Sequence, residues 1–255
     1  MTSERTNILG VEVSAINMDM ALDTVDRWIA KQHHNYICVT GVHGVIECQN
    51  DPQLRKIHNQ AGLVTPDGMP LVWVSRLRNN RHVGRVYGPD LMTDVCTESV
   101  SKGYRHFLYG GADGVSERLA DQLGQKFSGI RIVGAYSPPF RPLTPEEDEA
   151  IIQQINESKA DIIWIGLSTP KQEYWMAAHL GRLDAPVMVG VGAAFDFIAG
   201  RKRQAPAWMQ RCSLEWLFRL LTEPRRLWRR YLIGNTRFLH HYTRERIWSR
   251  PGSNP

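Results

Sequence analysis

The chain has 255 residues, of which 42% are hydrophobic, 22% charged and 9% aromatic, and a formal net charge of +5. That composition excludes wholesale disorder and collagen-like or low-complexity architectures, and the length suits one domain with an appendage or two small domains. No stretch reaches the roughly 18 uncharged apolar residues of a spanning helix, the start MTSERTNILG lacks a secretory apolar run, and four scattered cysteines (Cys38, Cys48, Cys96, Cys212) read as reduced thiols of a soluble cytoplasmic protein.

In chain order, apolar periodicity predicts a helix over Asp19–Lys31 and then a buried strand at Tyr36–Thr40. His43 lies just past that strand and is a candidate site residue, against the structural role a lone histidine usually has. In the following segment, Leu63–Pro70 (LVTPDGMP), Asp67 is the sole acid of a largely apolar run from Ala61 to Val74. As a Pro-Asp-Gly turn it needs no function. A carboxylate in apolar surroundings, however, has its pKa raised toward the range of a general base.

A helix over Pro89–Ser101 precedes a strand at His106–Tyr109 and the turn Gly110-Gly111-Ala112-Asp113-Gly114. This turn is either a phosphate cradle at the N-terminus of the next helix, Gly114–Phe127, or a plain glycine turn. A strand at Ile130–Val133, the proline-rich connector Ser137–Pro145 and a helix over Pro145–Ser158 follow. The strand Ile162–Ile165 leads into Gly166-Leu-Ser-Thr-Pro-Lys-Gln-Glu173. Pro170 suits the start of a helix over Lys171–His179, which puts Gln172 near the strand ends, where its amide can bond sugar hydroxyls or a uracil edge. For Glu173 ordinary capping is the favoured reading. The strand Val187–Val191 runs into a third glycine-rich turn, Gly190–Asp196, which contains Gly192. Strand–helix alternation of this kind predicts an α/β, Rossmann-like, mainly parallel sheet with helices on both faces over residues 1–200. Ligands of such sheets bind beyond the carboxyl ends of the strands.

Composition changes after Gly200. From Arg201 to Arg250 twelve arginines and one lysine face three acids (Glu215, Glu223, Glu245), a local charge of +10 that leaves −5 for the rest. Residues 201–255 therefore read as a basic, amphipathic, helical appendage. Trp208, Trp216, Trp228, Trp248 and several leucines accompany its arginines, which suits an anionic membrane surface. The alternative is a terminal helix docked on the core with a solvated arginine face. A nucleic-acid partner is not expected, because no helix-turn-helix, zinc-knuckle or RNP pattern is present.

Seven segments appear in order: PDG at Asp67, RVYGPDL at Arg85–Leu91, LYGG at Leu108–Gly111, G-x-x-x-PKQE at Gly166–Glu173, GVGAAFDFIAG at Gly190–Gly200, R-x-APAW at Arg203–Trp208 and LEWLFRLLTEPRRLWRRYL at Leu214–Leu232. Together they resemble the WecG/TagA/CpsF family of bacterial glycosyltransferases, from about Asn7 to about Leu239. The resemblance implies a metal-independent, inverting transferase with no cofactor. Its donor would be a UDP-sugar and its acceptor a polyprenyl-diphosphate-linked saccharide, used in cell-surface polysaccharide synthesis at the inner face of the cell membrane. It implies Asp67 as catalytic base, Gln172 as a site residue, and Arg219, Arg226 and Arg229 as functional arginines of the appendage. Many members carry Thr-x-Asn after the first strand. Here the segment reads Val39-Thr40-Gly41-Val42-His43, so Thr40 and His43 stand as the catalytic candidates beside Asp67.

The substrate-binding set is completed by Gly110, Gly111, Gly166, Gly192 and Asp196 from the three turns. No metal ligands are expected, and no Asp-x-Asp is present. Association of copies of the chain is left open. The principal rival reading is a non-catalytic nucleotide-sugar or lipid-diphosphate binding protein.

Overall fold

The computed structural model describes residues 4–248; Arg250 of the basic run lies outside them. Among the described residues there are eight strands: β1 (Arg5–Ile8), β2 (Val11–Ser14), β3 (Asn35–Thr40), β4 (Leu63–Pro66), β5 (Arg105–Gly110), β6 (Arg131–Tyr136), β7 (Ile162–Gly166) and β8 (Val187–Gly190). β1 and β2 form an antiparallel hairpin. The other six make one parallel sheet in the order β4-β3-β8-β7-β5-β6. The doubly wound α/β fold read from strand–helix alternation is thus present.

Helices α1 (Met18–Lys31), α2 (Val42–Asn50), α3 (Pro52–Gln60), α4 (Met69–Leu77), α5 (Gly88–Lys102), α6 (Val115–Lys126), α7 (Pro145–Glu157), α8 (Lys171–His179) and α9 (Ala194–Ile198) connect and cover the strands. Their starts follow local chemistry. The Asn17 side chain accepts from the Met20 N–H at α1, and Asp51 accepts from the Gln53 and Leu54 N–H groups at α3. Thr144 and Glu147 form a reciprocal capping box at α7.

Because side chains alternate along a strand, each central strand feeds both faces of the sheet. Tyr36, Cys38, Phe107, Tyr109, Ile163 and Ile165 enter one core with the hairpin, α2, α3, α7 and α8. Ile37, Leu108, Ile162 and Trp164 enter the other with α1, α5, α6 and α9. The hairpin and β4 were not expected from the sequence. Each is only four residues long, too short for a period-2 signal to stand out.

The basic tail comprises α10 (Ala207–Arg211), α11 (Glu215–Thr222), α12 (Pro224–Trp228), a π-helical turn (Arg229–Ile233) and α13 (Gly234–Trp248). The helix does not continue through Pro224. Glu223 breaks it with φ −132° and ψ 55°, as expected where a proline removes a helical donor and crowds the preceding residue. The tail lies on the body: Phe238 is buried in the core that holds α2 and α3, with Tyr242 packed beside it.

Candidate active site

The carboxyl ends of the strands open into a cleft of about 1190 Å³, walled by the loops after β4, β5, β7 and β8, the connector Pro138–Pro145 and arginines of the tail. Asp67 follows β4 directly. Its N–H donates to the Thr40 carbonyl at 3.0 Å, one step beyond the last β3–β4 pair. Its carbonyl accepts from Arg85 Nε at 2.7 Å. The backbone is thus held on both sides while the carboxyl stays uncommitted: Oδ1 is buried and has no hydrogen-bond partner among the described residues. Burial pushes this carboxyl up to about 6. Arg85 opposes the rise, Glu215 adds to it, and Arg219 and Arg230 oppose it.

Thr40 contributes through its backbone. Its buried hydroxyl donates to the Cys38 carbonyl at 3.2 Å. His43 sits in the first turn of α2 with Nδ1 at 3.6 Å from Glu47 Oε1. Burial, Arg230 and Arg219 hold the imidazole down at about 3, so it is neutral at physiological pH and the Glu47 contact is not an ion pair. Neither Thr40 nor His43 is among the residues walling the cleft.

The glycines act chiefly by letting backbone approach backbone. A Cβ on Gly110 would stand 2.7 Å from the Gly166 backbone, and one on Gly166 would stand 2.6 Å from the Phe195 ring. The Gly111 N–H donates to the Gly166 carbonyl at 3.1 Å, so it is engaged within the fold and is not free to meet a phosphate. Gly192 borders Gln172: a Cβ there would lie 3.3 Å from Gln172 Oε1.

Gln172 is buried, and its Nε2 donates to Glu173 Oε1 at 3.1 Å and to the Gly190 carbonyl at 3.2 Å. These two acceptors set the amide so that Oε1 is the group left without a partner among the described residues. Glu173 does more than cap its helix. It is fully buried, and Oε1 also takes the Thr169 hydroxyl at 2.9 Å.

On the tail side, Lys202 Nζ bridges Asp196 at 3.2 Å and Glu223 at 3.1 Å, and Arg226 pairs with Glu223 at 2.7 Å. Arg219 lies 5.5 Å over the Phe197 ring. Arg219 and Arg230 each have a buried Nε with no partner among the described residues. Arg219, Arg226 and Arg230 wall the cleft; Arg229 does not, its guanidinium lying 5.3 Å over the Trp228 ring.

The reading of the sequence passed over Arg230 and the joint formed by Arg85, Tyr87 and Glu215. Glu215 Oε2 accepts from Arg85 Nη2 and Oε1 from the Tyr87 hydroxyl, both at 2.6 Å. The available signals were the RVYGPDL segment and an acid opening a largely apolar helix of the basic tail. Among the described residues no group of three or more His, Cys, Asp or Glu converges as metal ligands would.

A buried carboxyl unpartnered at Oδ1 and a set of arginines thus wall one cleft at the strand ends of a parallel α/β sheet, the place where enzymes of this fold class bind their ligands. The particular family follows from comparison: residues 6–252 match the glycosyl transferase WecG/TagA/CpsF family, and the chain belongs to it. Similar proteins include the N-acetylglucosaminyldiphosphoundecaprenol N-acetyl-beta-D-mannosaminyltransferase of Bacillus spizizenii, 32% identical over 73% of this chain and 70% of that protein. The protein of the same name from Staphylococcus aureus is 27% identical over 88% of this chain and 87% of its own length. The ordered motifs had pointed to this family, and the protein is a glycosyltransferase.

Proposed function

We propose that the protein transfers an N-acetylhexosamine from a UDP donor to a polyprenyl-diphosphate-linked saccharide with inversion at the anomeric carbon. The observation that carries this reading is the Asp67 carboxyl, buried, unpartnered at Oδ1 and raised to about 6, in one cleft with Arg219, Arg226 and Arg230. Ionised Asp67 takes the proton of the acceptor hydroxyl as that oxygen attacks the anomeric carbon from the face opposite UDP. The bond from that carbon to the UDP oxygen breaks, and its electron pair leaves with the diphosphate. The arginines compensate the developing charge, a task to which a planar five-donor guanidinium is suited.

The N-acetyl preference is supported by the N-acetylmannosaminyl transfer for which the relatives are named, and Gln172 Oε1 is an acceptor left free among the described residues for a substrate donor. A place at the inner face of the membrane is supported by the exposed Trp208, Trp228 and Leu232 among the tail's arginines. No described helix is long and apolar enough to cross a membrane.

The test is UDP release from a panel of UDP-sugars with a short polyprenyl-diphosphate-linked N-acetylglucosamine as acceptor, with and without EDTA. Acceptor-dependent release with an N-acetylhexosamine donor is expected from the wild type. Asp67→Asn is expected to lower it by about three orders of magnitude, the middle of the range for loss of a general base. Binding of UDP without turnover on any donor would favour the binding-protein reading instead.

A further inference from the structure

The tail is not the only part of the surface that pairs apolar and basic side chains. α4 buries Leu71, Val72, Val74 and Ser75 and turns Trp73 and Leu77 outward, 51% and 62% exposed. The two are four residues apart and share one face of the helix. Exposed Arg76 flanks them on α4, and exposed Arg81 follows four residues after Leu77. Between Gly68 and Pro89 the chain carries four arginines and no acid. Two large apolar side chains among cations, on a helix whose opposite face is in the core, match an interface between water and anionic lipid.

α4 is also tied to the tail at both ends. Arg230 lies close enough to Asp67, two residues before α4, to influence its carboxyl. Beyond the other end, Arg78 Nη2 pairs with Glu245 of α13 at 3.2 Å. The π-helical turn and α13 carry the exposed Leu232, Ile233 and Leu239. We infer that the outward face of α4 is a second membrane contact, which binds anionic phospholipid headgroups through Arg76 and Arg81 and seats Trp73 and Leu77 at the acyl boundary.

This inference rests on the proposed lipid-linked acceptor and gives the membrane a role in its delivery. Asp67 lies two residues before α4, and Trp73 lies four residues into it, about 6 Å along the helix from Met69. An enzyme seated through α4 and the tail holds its catalytic carboxylate near the depth of a lipid diphosphate.

The experiment is sedimentation of the full chain with vesicles of phosphatidylcholine alone or with about one third phosphatidylglycerol, beside UDP release on a detergent-dispersed acceptor. Wild type is expected to partition onto the anionic vesicles and, roughly tenfold less, onto the neutral ones. Trp73→Ser/Leu77→Ser is expected to lose roughly tenfold in partition onto anionic vesicles while keeping its melting temperature and its detergent activity. Trp73→Phe/Leu77→Ile should bind as wild type does, and Arg76→Gln/Arg81→Gln should lose most of the preference for anionic lipid.

Equal partition of the serine variant and wild type overturns the inference. So does a concentration-dependent dimer of the wild type that the serine substitutions dissociate with no change in vesicle binding, because the face would then belong to a second copy. Loss of detergent activity in the wild type itself overturns the proposed reaction, whatever the vesicles show.

Discussion

Asp67 shows how one residue's role follows from its surroundings. Burial raises its pKa from the usual carboxylate value to about 6, so in the folded chain the neutral form is favoured. Below the unfolded value both states are protonated and the group does not affect folding. As pH rises to about 6 the unfolded chain ionises first, and stability falls. Asp67→Asn is therefore expected to be more stable than wild type above pH 6, by about 3 kcal/mol, and to match it near pH 3. Calorimetry across that range checks this. Catalysis has the opposite sense, since only ionised Asp67 accepts a proton: kcat/KM of the wild type should rise with pH and level off above about 6.

At the scale of the element, the tail's arginines are sorted by helix geometry that their spacing did not reveal. Arg219, Arg226 and Arg229 share one face only if a single helix runs through Pro224. The chain instead breaks at Glu223 and passes through a π-helical turn at Arg229–Ile233, a local change in the number of residues per turn. Arg226 and Arg230 consequently face the cleft, while Arg229 lies over Trp228. Arg230→Ala is expected to raise KM for the UDP-sugar at least tenfold. It should also move the acid limb of kcat/KM to higher pH, because Arg230 holds the Asp67 pKa down. Arg229→Ala should do neither, and parallel pH–rate profiles of the two variants separate them. Arg219 and Arg226 were legible as site residues from the resemblance, but which side of the turn the next arginine took was not.

At the scale of the molecule, the tail is part of the folded body as well as a basic surface. Phe238 is 3% exposed and belongs to the core that holds Val45, Leu54 and Ile57 of α2 and α3. Glu215 is clamped by Arg85 and Tyr87, and Arg85 also holds the Asp67 carbonyl, so the joint that docks the tail also holds the loop that carries Asp67. Phe238→Ala is expected to cost about 3 kcal/mol, the low end for an aromatic core deletion. That corresponds to a fall in melting temperature of roughly 6–12 °C for a chain of this size, readable by thermal denaturation.

The sequence by itself determined the sheet and much of the site. Runs such as YICVT and IIWI, β-branched and bounded by turn residues, read as buried strands, amphipathic spacing marked five of the helices that cover them, and Asp67 stood out as a lone acid among apolar residues next to a turn. These are local properties, set by side-chain period and turn chemistry. Only the tertiary structure decided which polar atoms are spent and which remain free. It joined the Gly111 N–H to Gly166, turned the Thr40 hydroxyl to Cys38, buried Glu173 beside Gln172, and brought Arg230 and Glu215 of the tail to Asp67. Hydrogen bonding and desolvation depend on neighbours far apart in the chain, and folding alone sets those distances.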